Sequence, residues 1–476
     1  MNTLDEKIKK AFPDESVIKI PQNYSVFAGK NLPSFIKDFL IKRYTDSYGN
    51  LDRNGILKFL DDHIPNKDNN IKNRLRTHRE EVTVLTRLII ETDLKNNKLL
   101  FSIPDLGIKL NEGRIPDHVA KKHKELKDGE LWGVITLIYQ PPLDKEKGYV
   151  ELVNYKPFKP YKVDLDYFKA ARNEFTTLEW IDLLIRSMEY NPDGFDSISQ
   201  KLMFLSRLLI FVEPRLNLIE LAPKGTGKTY VFGNLSKYGW LISGGVVSRA
   251  KLFYDMQRKS MGMITLYDFI TLDEIQTIKF TDSAELRAAL KSFLEQGYTN
   301  IMGTRVESLA GFLIMGNISL SIDNQPIGKK YFTELPDTFK ESALLERFHG
   351  FVEGWRLPRF NTSLIVHGYT LNVEYFSEIL HELRNVSLYA AIVDDLLEVP
   401  QKSDGRHVTA VKRLATAYLK LLFPNVSSAS DINKEDFNRY CLQPAIEKRK
   451  IILEQLRLID QEYSQEKYNM PEFKVK

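Results

Sequence analysis

Eight consecutive residues, Ala222-Pro223-Lys224-Gly225-Thr226-Gly227-Lys228-Thr229, have the spacing of a phosphate-binding loop. Gly225 and Gly227 let main-chain N–H groups turn inward around phosphates, and the N-terminus of a following helix favours the same anions. Lys228 has the reach for β- and γ-phosphates, and Thr229 offers a hydroxyl to Mg²⁺. The glycine that usually opens this pattern is Ala222 here. An ordinary Gly-rich turn is the bland alternative. The flanks argue against it, because NLIELA upstream is apolar and strand-like and YVFGNLSKYG downstream can be helical.

A bound triphosphate needs a carboxylate on its metal side. Asp273 and Glu274 close the apolar run FITLDE, with Asp273 45 residues beyond Lys228. If that run is a central parallel strand, both lie at its carboxyl end, where open α/β sheets bind ligands. Asp273 is then placed to hold Mg²⁺ through water, and Glu274 to polarise an attacking water. Alone, the pair reads equally well as a charged helix start; beside the upstream loop the chemical reading prevails. A third apolar run, GFLIMGN, ends on Asn317, 44 residues after Asp273, and can present an amide to a γ-phosphate or to that water. Hydrolysis also builds negative charge that a guanidinium can stabilise. Arg347 in ALLERFHG and Arg406 before HVTAVKRLATAYLKLLF are available, but an isolated arginine is usually a surface residue.

The elements that must position these groups are legible in outline. LPSFIKDFLIKRY, residues 32–44, repeats apolar residues at helical spacing with Pro33 in its first turn. Residues 54–60 repeat the pattern, and IKNRLRTHREE follows with Arg74, Arg76 and Arg79. From Val82 the period shortens to two, and four or five runs between Val82 and Val163 predict a small β-barrel or sheet. Between them VAKKHKELKDGE carries Lys121, Lys122 and Lys124. TTLEWIDLLIRSMEY predicts a helix with Thr176 and Glu179 as a capping box, and QKLMFLSRLLIFVEP a second helix. A long charged helix is expected over Lys434–Tyr463.

Composition sets the outer limits. The 476 residues are 43% hydrophobic and 27% charged, the balance of a folded protein, and too many for one ordinary core. A net charge of +4 gives no overall field, although a local groove can still be basic. Cys441 is the single cysteine, which excludes a disulfide-stapled scaffold. Neither a signal peptide nor a membrane span is read from the sequence, since the most apolar run, Leu202–Val212, is short and interrupted by Arg207; a cytoplasmic protein is expected. The histidines are scattered, and His118 and His123 do not have helical metal-ligand spacing, so Mg²⁺ bound with nucleotide is the one metal expected.

Taken together, LNLIELAPKGTGKT, LISGGVVSRAKLF, FITLDEI, FLIMGNI, LPDTFKESALLERFHGFVEGWRLP and GRHVTAVKRLA resemble the BrxL family of bacteriophage-exclusion (BREX) systems, over roughly residues 20–460. Members of that family are Lon-like, with ATPase and N-terminal regions similar to the MCM helicases. The resemblance implies an α/β fold: an AAA+ P-loop NTPase core with a C-terminal helical region, preceded by an α-helical and β-barrel (OB-like) N-terminal region. The implied divisions are a helical domain over 1–80, a β-rich DNA-facing domain over 81–170, the ATPase core over 171–395, and a helical lid and tail over 396–476. It makes 222–229 the Walker A loop, Asp273 and Glu274 Walker B, and Asn317 sensor 1. Arg347 becomes the arginine finger acting on a neighbour's nucleotide, and Arg406 sensor 2, with Arg413 as the alternative on the same helix.

The same resemblance implies ATP with Mg²⁺, hexameric rings or stacked pairs of hexamers, duplex DNA in the pore and other BREX components as partners. Candidate DNA contacts are Arg74, Arg76, Arg79, Lys121, Lys122, Lys124 and Arg305; a solvated basic face is their bland reading. Family members can continue into a Lon-type protease with a Ser–Lys dyad. Here Ser464 and Lys467 lie in a polar tail, with nothing to tune a catalytic lysine, and no protease activity is expected of this chain. The expected function is an ATP-driven DNA motor or clamp in phage defence. The competing readings are a nucleotide-switched DNA-binding scaffold and a protein-remodelling ATPase that serves a separate protease.

Overall fold

The computed structural model describes residues 3–476 except 31, 47–48, 65–70, 94–95, 124–125, 127–128, 144–146, 158–162 and 258. The chain forms two compact units: one of Met1–Pro21, Pro33–Phe35 and Val163–Lys476, the other of Gln22–Leu32 and Ile36–Lys162.

The smaller unit is built on a closed barrel of five strands: β1 (Val82–Asp93), β2 (Lys98–Ile103), β3 (Ile108–Ile115), β4 (Gly129–Gln140) and β5 (Tyr149–Pro157). Their order is β1-β2-β3-β5-β4, with β1 pairing β4 to close the circle and β3 parallel to β5. This is the connectivity of an OB-type barrel, and closure leaves no edge strand unpaired. The alternation read from the sequence supplies the interior, where Val82, Val84, Leu88, Ile90, Phe101, Ile135, Leu137 and Leu152 are buried. The lysine-bearing stretch between β3 and β4 opens with a helical turn, Asp117–Lys122, anchored by buried Val119.

The larger unit is a three-layer α/β structure. Its sheet contains β6 (Asn217–Ala222), β7 (Gly239–Ser243), β8 (Phe269–Asp273), β9 (Gly311–Asn317) and β10 (Gly350–Glu353), in the order β10-β6-β9-β8-β7. Every pairing is parallel. β6 and β8 are buried at every position, as expected of strands covered on both faces. The helices used below are α1 (Thr177–Ser187), α2 (Ile198–Leu205), α3 (Lys228–Asn234), α4 (Ser283–Gln296), α5 (Gly405–Leu422) and α6 (Gln443–Ile459).

The α1 capping box forms as the sequence predicts: Glu179 N–H donates to Thr176 Oγ1, and Thr176 N–H to Glu179 Oε2. Two expected long helices are broken. The run after Gln200 ends as α2 at Leu205, passes through a 3₁₀ turn at Ser206–Leu208 and resumes over Leu209–Val212; Ser206 Oγ bonds Met203 O there, and Arg207 is turned into the core. The expected helix Lys434–Tyr463 instead comprises Lys434–Phe437, a π turn at Asn438–Leu442, and α6. Pro444 has no N–H to continue an α ladder, and the wider turn absorbs the missing bond. The strand Ser16–Lys19 pairs antiparallel with Gly368–Leu371, which ties the N-terminus to the larger unit.

Candidate active site

The carboxyl ends of β6, β8 and β9 lie side by side, with Asn317 opposite Ala222 in register. The loop leaving β6 turns through Gly225 and Gly227, both at positive φ (83° and 73°), before α3 begins at Lys228. Gly227 is doubly constrained, because a Cβ there would also lie 1.7 Å from the Tyr190 hydroxyl. Gly225 has open space around it, and its carbonyl accepts from Phe360 N–H at 2.7 Å. The departure at Ala222 is accommodated from the other side. Gly354 faces it so closely that a Cβ on residue 354 would meet the Ala222 methyl at 2.3 Å. The small residue is kept, but on the neighbouring strand's exit.

Lys228 Nζ donates to Asn317 Oδ1 at 3.1 Å. Burial pushes this ammonium below the ordinary lysine range, against the opposing pull of Glu220 and Asp273. Thr229 Oγ1 donates to Asp273 Oδ2 at 2.6 Å, while Asp273 Oδ1 accepts from Glu274 N–H at 2.8 Å. Glu274 is exposed and sits in the left-handed region (φ 50°), so the chain turns sharply and the two carboxylates part company. Pro223 and Thr226 are buried, and Lys224 is exposed at the loop surface. One carboxylate beside one hydroxyl is a donor set suited to Mg²⁺ that keeps most of its ligands as water and substrate phosphate. Among the described residues no group of three or more His, Cys, Asp or Glu forms a metal cage.

Three supports were not foreseen. Arg207 and Glu220 form a fully buried ion pair, with Arg207 Nη2 2.5 Å from Glu220 Oε1. Arg207 Nη1 also donates to Thr226 O at 2.8 Å, gripping the phosphate loop from beneath. The signal was present as one arginine and one glutamate, each alone in an otherwise apolar run; opposite charges buried in that way must meet. Gln276 brackets Asn317, donating to its carbonyl (2.8 Å) and accepting from its N–H (3.2 Å). Tyr190 lies edge-on to Phe360 above Gly227. The last two have no sequence signature, because neither an exposed glutamine such as Gln276 nor a buried tyrosine such as Tyr190 is unusual.

Arg347 and Arg406 are not among these groups. They meet in a separate cavity of about 650 Å³ whose lining also includes Arg215, Arg413, Arg449 and His349. Arg413 donates to Arg215 O (3.0 Å) and lies 3.3 Å from His349 Nε2, and Arg449 donates to the carbonyls of Glu346 (2.9 Å) and Phe348 (2.5 Å) and to His407 Nδ1 (2.9 Å). His349 accepts from Asn217 N–H through Nδ1; burial and the guanidinium of Arg413 hold it far below the ordinary imidazole range, hence neutral. Arg347 and Arg406 form ion pairs with side-chain carboxylates, and Arg347 Nη1 also donates to the carbonyl of Ala343.

Of the basic residues singled out, Arg74, Arg76, Arg79, Lys121 and Lys122 are exposed in the smaller unit. Arg74 pairs with Glu80 at 2.7 Å. Arg305 is exposed in the larger unit, on the hairpin Tyr298–Ile301/Thr304–Glu307, with its guanidinium 3.8 Å from the Tyr298 ring centroid and 3.1 Å from Glu307. Lys124 lies outside the described residues. Cys441 is buried.

A parallel sheet with the phosphate loop after its first strand and an acidic pair after its third defines a P-loop ATPase core of the AAA+ type. The chain belongs to the BrxL-like family: the family model described as "Lon-like protease BrxL-like, ATPase domain" matches residues 150–469, and "BREX system Lon protease-like protein BrxL N-terminal" matches residues 10–139. Curated relatives include the Lon-like protease BrxL of Escherichia coli O9:H4 (strain HS), 27% identical over 90% of this chain and 61% of that protein. The Lon-like protease BrxL of Bacillus cereus (strain H3081.97) is 26% identical over 96% of this chain and 67% of its own length. An uncharacterized protein 440 of Sulfolobus islandicus rod-shaped virus 1 is 26% identical over 42% of this chain. The chain thus spans about two thirds of the BrxL relatives' length.

Proposed function

We propose that this chain is an ATP hydrolase that assembles into rings, six subunits or stacked pairs of six, on duplex DNA in bacterial phage defence. The convergence of Lys228, Thr229, Asp273 and Asn317 at one sheet edge carries the ATPase reading. Loop amides from Lys224 to Thr229 and the Lys228 ammonium cradle the β- and γ-phosphates. Thr229 and Asp273 hold Mg²⁺, which supplies neutralisation of phosphate charge. Glu274, exposed at the strand end, polarises the attacking water, and Asn317, fixed by Gln276, orients it. Arg347 and Arg406 lie in a different cavity, so they serve the nucleotide of a neighbouring subunit. Arg406 takes the sensor-2 role, because Arg413 is committed to the carbonyl of Arg215.

DNA contact is assigned to the barrel unit through Arg74, Arg76, Arg79, Lys121, Lys122 and Lys124, and to the larger unit through Arg305. OB-type barrels and exposed basic side chains support this reading, and phosphate contact requires no base-specific motif. The reading places the work in the cytoplasm, with other BREX components as partners; the family assignment supports the partners.

The decisive experiment is Glu274→Gln. Retained ATP binding with hydrolysis reduced by about 100-fold or more is expected, by analogy with loss of other preorganised catalytic groups. If the wild-type chain binds ATP but turns none over, with or without DNA, the nucleotide-switched scaffold replaces the hydrolase.

A further inference from the structure

Arg347 and Arg406 share two carboxylates. Glu295 Oε2 lies 3.0 Å from Arg347 Nε and 3.6 Å from Arg406 Nε. Glu346 approaches Arg347 Nη1 at 3.3 Å and Arg406 Nη1 at 2.9 Å, and it also accepts from the Tyr463 hydroxyl at 2.7 Å. Two cations and two anions alternate around a closed, electrically neutral quartet on the cavity wall.

The local structure does not favour these charges where they stand. Glu295 occupies the last turn of α4, where the helix dipole disfavours an anion, and Arg406 the first turn of α5, where it disfavours a cation. Each is therefore held by the other's charge rather than by its own helix. Arg413 and Arg449 lie deeper and bond main-chain carbonyls, and Arg347 is anchored through Nη1 on the carbonyl of Ala343. The quartet can still exchange its outer carboxylate, because Glu295 and Arg406 are both partly exposed at its mouth. A phosphoryl group carries more charge than a carboxylate and offers more acceptor oxygens, so it can displace Glu295 from both guanidinium groups.

We infer that Glu295, with Glu346 behind it, is an internal stand-in for the neighbour's terminal phosphate, a latch that keeps Arg347 and Arg406 neutralised until an ATP-loaded subunit docks. The inference rests on the reading that both arginines act across a subunit interface. Glu295 is a positioning residue, and its removal should make docking easier without touching the chemical step.

The test measures ATP hydrolysis by the whole chain as a function of both ATP and protein concentration. Glu295→Gln is expected to lower the apparent KM for ATP and the protein concentration giving half-maximal specific activity by about fivefold, the effect of releasing one partly exposed ion pair. The kcat should stay within about twofold, because no group touching the substrate changes. Glu295→Asp should restore wild-type behaviour. Unchanged KM and concentration dependence would overturn the latch, as would a kcat that falls with KM unchanged, since the glutamate would then be holding the arginine in its working position. Mixing Lys228→Ala with Arg347→Ala subunits separates this from the parent reading. Recovery of hydrolysis in the mixture establishes action across the interface, so a silent Glu295→Gln sinks the latch alone. No recovery sinks both.

Discussion

Gly227 is the least replaceable residue of the phosphate loop, for two independent reasons. Its φ of 73° costs an L residue about 1–2 kcal/mol, and the Tyr190 hydroxyl occupies the space a side chain would take. Gly227→Ala should abolish ATP binding in calorimetry. Ala222→Gly should leave it intact, because Gly354 already gives that strand end its clearance. Lys448 provides a residue-scale prediction of opposite sign. It is buried on α6 with Met203 Sδ at 3.7 Å as its hydrogen-bond partner, and burial depresses its ammonium to about 8. Below pH 8 both folded and unfolded chains carry this proton, and the cost of burying the charge is fully present. Between pH 8 and 10.5 the folded chain has released it and the unfolded chain has not, so stability from this group rises with pH. Lys448→Met should therefore stabilise the protein at pH 7 by roughly 3 kcal/mol. Denaturant midpoints of the two proteins should converge toward pH 10.5; a constant or widening difference would remove burial as the cause.

At the scale of elements, the phosphate loop is a strand end, a turn and a helix start held in place by a buried ion pair. Glu220→Gln leaves the Arg207 charge in the core with one fewer counter-ion and should cost about 3–5 kcal/mol in urea unfolding. Replacing both, as Arg207→Met with Glu220→Leu, should recover much of that stability yet still weaken ATP binding, because the Arg207 bond to Thr226 O is gone. Recovery of both properties would mean that the pair supports the fold and not the loop. The elements themselves were largely legible. The strand–loop–helix at 217–234 and the strands ending on Asp273 and Asn317 follow from apolar runs closed by polar residues. Helix interruptions at Ser206–Leu208 and Asn438–Leu442 were not, because periodicity continues through a one-turn change of winding while hydrogen bonding does not.

For the whole molecule, binding to DNA should weaken steeply with salt and show no preference among duplex sequences. Removing Arg76, Arg79, Lys121 and Lys122 together by alanine substitution should lower the slope of log K against log salt by about one for each phosphate that the protein no longer neutralises. An unchanged slope in anisotropy titrations would move the DNA surface elsewhere. The sequence alone determined the chemistry of the nucleotide loop, the acidic pair and the barrel's alternating strands, because each is a local pattern enforced by backbone geometry and burial. Tertiary structure decided which distant residues meet. Strand pairing joined Ser16–Lys19 to Gly368–Leu371 within the larger unit, whereas the sequence grouped it with the N-terminal helices. Folding also set Gly354 against Ala222, Arg207 beneath Thr226, and Arg347 beside Arg406 between the same two glutamates. Those encounters depend on how side chains from different elements fill one space, and the spacing of residues along a chain carries no record of that.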